Sequence, residues 1–223
     1  MKKSKMIKRN SFIDRACHWV VVICFFLVAL SGISMFFPSL KWLTETFGTP
    51  QLGRILHPFF GVMITLALII MFFRFVKHNI PARGDLKWWL NIIEVLKGNE
   101  HKVTETDKYN PGQKVMFWSI MGLMGVLTVT GVVIWRPYFA AHFPIPVIRI
   151  ALLVHAVAAI VLIHAILMHM YLAFWVKGSI KGMIEGKVSR KWAAKHHPRW
   201  LREIEEKEAR EEAARAEAKE PNL

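Results

Sequence analysis

Four apolar runs, at about residues 19–37, 55–73, 115–135 and 150–176, are each near or above the ~20 residues that a bilayer core requires. Hydrocarbon offers no partner to a backbone N–H or C=O. Runs of this length are therefore expected to be helices whose hydrogen bonds close within the segment. A hydrophobic fraction of 54% gathered into such blocks is unlike an ordinary soluble core. The expected fold class is an all-α membrane protein built as a bundle of four transmembrane helices. The last run is long enough to tilt or project.

A formal net charge of +14 would point to nucleic acid in a soluble protein, but here the charge must first be sorted by loop. Basic residues collect in the amino-terminal segment (Lys2, Lys3, Lys5, Lys8, Arg9, Arg15), in the connection between the second and third runs (Arg74, Lys77, Arg83 and Lys114 among them) and after the fourth (Lys177, Lys181). The connections Pro38 to Arg54 and Arg136 to Arg149 hold two basic residues each. The positive-inside rule then puts both termini in the cytoplasm, and no nucleic-acid partner is expected. Trp19, Trp42, Trp135 and Trp175, near the run ends, fit interfacial belts.

The first run has the basic start, apolar stretch and small-residue step (Ala29-Leu30-Ser31) of a signal peptide. It is long for a signal core, however, and its removal would leave three spans and strand the amino-terminal charge, so it is expected to be retained. Cys17 and Cys24 lie seven apart on it, and no Cys-x-x-Cys-His occurs, which argues against covalent c-type haem and for packing thiols. The connection from Arg74 to Lys114 has room for a short helix around Lys87 to Leu96. From Arg202 onward the chain is a Glu, Lys, Arg and Ala mixture without an apolar face, expected as a solvated helix or a disordered tail.

His155, His164 and His169 lie inside the fourth run, where a titratable ring is expensive to bury without a partner. His155 and His169 are 14 residues apart, nearly four helical turns, so they leave one face about 21 Å apart along the axis. That spacing suits two stacked metal centres, and facing histidines in a helical bundle are a common way to hold haem iron. The topology assigns depth to the others. His18 opens the first span and His169 approaches the end of the fourth, both toward the cytoplasm; His57 opens the second and His155 lies early in the fourth, both toward the outside. The expected pairs are His18 with His169 and His57 with His155, two bis-imidazole sites one above the other. His164 is half a turn out of phase with His155 and is expected to pack against another helix or lipid. His78, His101, His142, His196 and His197 fall in loops or the tail and are expected at the solvated surface.

Gly32, Gly61, Gly122, Gly125, Gly131, Ala156, Ala158 and Ala159 would give room to a flat macrocycle or equally permit close helix packing. Arg15, Arg54, Arg74 and Arg149 are candidates to neutralise haem propionates, Arg54 and Arg149 the more informative because basic residues are scarce on the outer side.

Arg15-Ala16-Cys17-His18-Trp19, Gly53-Arg54-Ile55-Leu56-His57-Pro58-Phe59, Thr130-Gly131-Val132-Val133-Ile134-Trp135-Arg136-Pro137 and Trp175-Val176-Lys177-Gly178-Ser179-Ile180 occur in this order, followed by His196-His197-Pro198-Arg199-Trp200. Together they resemble the cytochrome b (gamma) subunits of respiratory formate dehydrogenases, most like that of the nitrate-inducible enzyme, from about residue 6 to 201. The resemblance implies a four-span dihaem cytochrome b domain over 1–201 and leaves 202–223 as a charged cytoplasmic tail. It implies two b haems ligated by His18, His57, His155 and His169. It also implies menaquinone bound beside the cytoplasmic haem by Asn110, Gly112, Gln113 and His169. Read from the residues alone, Asn110-Pro111 is equally good as a helix start.

Further implications are a bacterial inner-membrane location, an iron-sulfur beta subunit and a molybdenum- or tungsten-containing alpha subunit as partners, and a heterotrimer itself grouped threefold in contact with membrane lipid. In such a complex this subunit passes formate-derived electrons from the periplasmic iron-sulfur subunit to menaquinone and does not oxidise formate alone. The cytochrome subunit of a membrane hydrogenase or of a thiosulfate reductase would share the fold and haems. A transporter or a purely structural anchor would share the spans but lack a b-type spectrum.

Overall fold

The computed structural model describes residues 5–97, 99, 103 and 105–218. Lys2, Lys3, His101, Lys102 and both chain termini lie outside the described residues. The helices are α1 (Phe12–Phe36), α2 (Pro50–Phe75), α3 (Arg83–Leu90), α4 (Ile92–Leu96), α5 (Pro111–Ile134), α6 (Ile145–Trp175), α7 (Lys181–Ile184), α8 (Arg190–His196) and α9 (Pro198–Glu217). A 3-10 helix, Pro38–Phe47, follows α1, and strands β1 (Met6–Lys8) and β2 (Lys187–Ser189) pair antiparallel with Met6 opposite Ser189. Among the described residues, four helices are long and apolar enough to cross a membrane: α1, α2 with its continuation to His78, α5 and α6. The chain forms two compact units: Asn10–Lys77 with Met116–Gly186, and Met1–Arg9 with His78–Val115 and Lys187–Leu223.

In the first unit, α1 begins seven residues before the apolar run because its start is capped. Ser11 Oγ accepts from the Asp14 N–H at 3.2 Å, and the Asp14 carboxylate accepts from the Ser11 N–H at 2.7 Å. Arg74, in the last turn of α2, donates to both Asp14 and Ser11, which ties the carboxyl end of one span to the amino end of the other. Cys24, Ile64, Leu68, Met71 and Phe75 are buried together, with Phe117, Ile120, Met121 and Met124 of α5 packed on them. Thr65 and Thr128 join hydroxyls at 2.8 Å across α2 and α5, the kind of polar link that helps helices associate where lipid removes the hydrophobic drive. Ile23, Phe73, Leu153 and Phe174 are exposed on these helices. A soluble protein would hide such large apolar side chains; a membrane protein turns them to lipid.

The second unit has its own core of Ile7, Val188, Ala193, Trp200 and Leu201. One sequence expectation fails here. His197, expected at the solvated surface, is 1% exposed, and Arg9 beside it is 8% exposed. The guanidinium of Arg9 lies 4.7 Å from the Trp192 ring centre and 5.4 Å from that of Trp200, and donates to Lys108 O at 3.0 Å and to His197 Nε2 at 3.2 Å. His197 Nδ1 faces Asp107 O at 2.7 Å, so the ring is the Nδ1–H tautomer with Nε2 accepting. Burial brings the Arg9 value down to about 10, which leaves it charged at neutral pH. The tail from Arg202 is helical as far as Glu217, fastened by Arg190 to Glu205 and Glu208. The helix expected around Lys87 to Leu96 is two helices, α3 and α4, broken at Asn91.

His197 gives this unit a pH dependence. Burial above all, and the adjacent Arg9 charge, hold its imidazole well below the ordinary 6.5, so the folded unit keeps it neutral where the unfolded chain takes up a proton. Protonation then favours unfolding: the contribution is present above about pH 6.5 and is lost as pH falls below it. Hydrogen exchange of the β1 and β2 amides, corrected for intrinsic rates, should show protection falling between pH 7.5 and 5.5 and that fall flattened in H197Q. An equal fall in H197Q would assign the effect to other groups.

Candidate functional site

His18 of α1 and His169 of α6 have ring centroids 6.4 Å apart with planes inclined at 58°. His57 of α2 and His155 of α6 have centroids 6.3 Å apart at 57°. Imidazole nitrogen binds a first-row divalent metal at about 2 Å, and the ring centre lies roughly 1 Å behind that nitrogen, so two rings on opposite sides of one metal put their centroids about 6 Å apart. Both pairs meet that requirement. Among the described residues no three His, Cys, Asp or Glu side chains gather as a metal site. Paired imidazoles suit a macrocycle that brings its own equatorial nitrogens, and these residues fit a haem.

Each ring of the second pair has a hydroxyl beside its Nδ1. Ser31 Oγ donates to Leu27 O of its own helix at 2.8 Å and lies 2.8 Å from His57 Nδ1. When the hydroxyl proton stays on that carbonyl, Oγ accepts from Nδ1–H, and the Nε2 lone pair of His57 is the one left for a metal. Thr130 Oγ1 does the same for His155: it donates to Val126 O at 2.7 Å and stands 2.9 Å from Nδ1. In the other pair, His18 Nδ1 is buried without a hydrogen-bond partner, while Trp19 packs edge-on against the ring.

A Cβ at Gly32 would meet His57 Cε1 at 3.4 Å, and one at Gly131 would meet His155 Cε1 at 3.5 Å, so each glycine lies beside one of these rings at ordinary contact distance. At Gly61, Gly122 and Gly125 a Cβ would meet nothing within 4 Å among the described residues. His164 is exposed, with Nδ1 2.8 Å from Ile160 O of its own helix, and joins neither pair. Of the four arginines considered for propionates, Arg74 is paired with Asp14 and Arg15 donates to Ile184 O, while Arg54 and Arg149 are exposed.

Asn110, Gly112 and Gln113 belong to the second compact unit. There the two amides form a reciprocal cap at the start of α5: Gln113 N–H donates to Asn110 Oδ1 at 2.9 Å, and Asn110 N–H donates to Gln113 Oε1 at 3.0 Å. Each side chain uses its oxygen for the cap and keeps its NH2 as a donor. A Cβ at Gly112 would meet the Trp88 ring at 3.3 Å, a tight contact to which the ring would have to yield. Ser31 and Thr130 were missed by sequence reasoning as partners of the histidines. Their signal was a hydroxyl followed by glycine in an otherwise apolar span.

A family model described as prokaryotic cytochrome b561 matches residues 9–186. The nitrate-inducible formate dehydrogenase cytochrome b556(Fdn) subunit of Escherichia coli K12 is 73% identical over 213 residues, which cover 96% of this chain and 98% of that protein. The formate dehydrogenase cytochrome b556 subunit of Haemophilus influenzae is 51% identical over 85% of this chain and 79% of its own length. The formate dehydrogenase cytochrome b556(fdo) subunit of Escherichia coli K12 is 50% identical over 92% of this chain and 96% of its own length.

Proposed function

The chain belongs to the prokaryotic cytochrome b561 family, and on that premise we propose that it is the membrane cytochrome b subunit of a formate dehydrogenase, anchoring the complex and reducing menaquinone. The observation that carries this reading is the pair of histidine couples at centroid separations of 6.3 and 6.4 Å on helices that cross the membrane. Two b haems, when bound, supply the one-electron steps between a periplasmic iron-sulfur subunit and the quinone. His57 and His155 hold the outer one, His18 and His169 the inner.

The residues of the chain do the binding and orienting. Nδ1–H bonds to Ser31 and Thr130 would leave Nε2 of His57 and His155 to hold the iron. The amide NH2 groups of Asn110 and Gln113, with Gly112 and His169, receive menaquinone on the cytoplasmic side, where the quinone takes its protons. Formate oxidation outside and proton uptake inside together charge the membrane. Both termini are cytoplasmic in the bacterial inner membrane, and residues 202–223 form a charged tail to the 1–201 dihaem domain. The partners are an iron-sulfur beta subunit and a molybdenum- or tungsten-containing alpha subunit, in a heterotrimer grouped threefold.

The test is to purify the intact membrane complex through this subunit, record its dithionite-reduced spectrum, and offer formate, hydrogen and thiosulfate in turn. A reduced b-type α-band that also develops with formate alone is expected. Reduction by hydrogen, or reoxidation by thiosulfate, would move the chain to a hydrogenase or thiosulfate reductase, and absence of a b-type band would remove the cytochrome reading.

A further inference from the structure

Ser31 and Thr130 stand on different helices, α1 and α5, yet each presents the same two-residue arrangement to a histidine. In both, a hydroxyl whose proton goes to its own helix, to Leu27 O or Val126 O, lies within 2.9 Å of Nδ1. In both, the next residue is a glycine, at which an added Cβ would stand in ordinary van der Waals contact with the same ring's Cε1. The two arrangements therefore grip His57 from α1 and His155 from α5. The inner pair is built differently, for His18 Nδ1 is buried with no partner.

We propose that Ser31-Gly32 and Thr130-Gly131 are matched positioning devices for the ligands of the outer haem, and that their hydroxyls hold its reduction potential below the value that unbonded ligands would give, leaving the inner haem untouched. The proposal rests on the reading that His57 and His155 carry one haem. Hydrogen bonding at Nδ1–H makes Nε2 a more basic ligand, and a more basic axial ligand favours the ferric state. The hydroxyls also lock the tautomer, since a ring held as the Nδ1–H form has only Nε2 to offer a metal. Lowering the outer haem alone favours passage of electrons inward.

The experiment uses S31A and T130V, singly and together, in the assembled complex. Spectroelectrochemical titration of the α-band resolves the two midpoints, and pyridine haemochrome counts haem in the same samples. Two haems should remain, and one midpoint should rise, further in the double variant than in either single. It should be the midpoint that disappears in His57→Ala, and S31T and T130S should return it to the wild-type value. Unchanged midpoints with two haems present would overturn the proposal, leaving the hydroxyls to serve only their own helices. Equal movement of both midpoints would overturn it too, as a general disturbance. Should S31A or T130V lose haem, S31T and T130S decide: wild-type haem content and potential in them support the proposal, and the same loss in them overturns it. Failure of the underlying assignment reads out separately, as two haems retained in His57→Ala whatever the hydroxyl variants do.

Discussion

Replacing His57 or His155 by alanine is expected to remove one haem and leave the other, replacing His18 or His169 to remove the complementary one, and replacing His164 to remove neither. The effect is expected to be all or none per haem, because each group would have two axial protein ligands and no third His, Cys, Asp or Glu gathers nearby among the described residues to replace one. His155 and His169 share α6, so one helix would lose different haems from substitutions 14 residues apart. His164 sits between them on the same helix but is exposed and bonded to its own Ile160 carbonyl, which makes it the internal control. Pyridine haemochrome content of the purified complex measures the outcome. Two haems and an unchanged spectrum in His155→Ala would refute the ligand pairing.

Removing the amide donors of Asn110 and Gln113 is expected to slow reoxidation by menaquinone while haem reduction by formate survives. The structure sharpens the choice of variant. Apolar replacements would remove the quinone contact and the helix cap together, since each side-chain oxygen accepts a backbone N–H at the start of α5. Asn110→Asp with Gln113→Glu keeps both acceptors and loses both NH2 donors. Loss of hydrogen bonds to a quinone carbonyl costs very roughly 1 to 3 kcal/mol in binding or transition-state stabilisation, about a 5- to 150-fold change. Stopped-flow reoxidation of the prereduced complex by a menaquinone analogue, with haem content confirmed, is the measurement. Wild-type rates and quinone affinity in this double variant, and in its apolar counterpart, would reduce the segment to a helix cap and send the search for the quinone elsewhere.

The four spans were legible because length and apolarity are local properties, and a 20-residue apolar run has few other ways to satisfy its backbone. Their starts were less so. The apolar run suggested a first span from about 19, whereas α1 begins at Phe12, because the polar Ser11 and Asp14 that cap it lie outside any hydropathy pattern. His18 with His169 and His57 with His155, paired in the sequence by assuming that the chain reverses direction at each span, have ring centroids 6.4 and 6.3 Å apart.

Only the tertiary structure decided what each polar group touches. Ser31 meets His57 and Thr130 meets His155 across helices, Arg74 of one span answers Asp14 of another, and Arg9 meets His197 from nearly the opposite end of the chain. Local periodicity cannot supply these pairings, because a helix that is apolar all round, as α6 is, has no polar face to reveal how it is turned about its axis. That rotation is set by packing against its neighbours. It fixes which hydroxyl reaches which imidazole. His197 was misplaced for a related reason. Its position late in the chain points to solvent, and it is Arg9 and the indole rings of Trp192 and Trp200, brought together only by folding, that bury it.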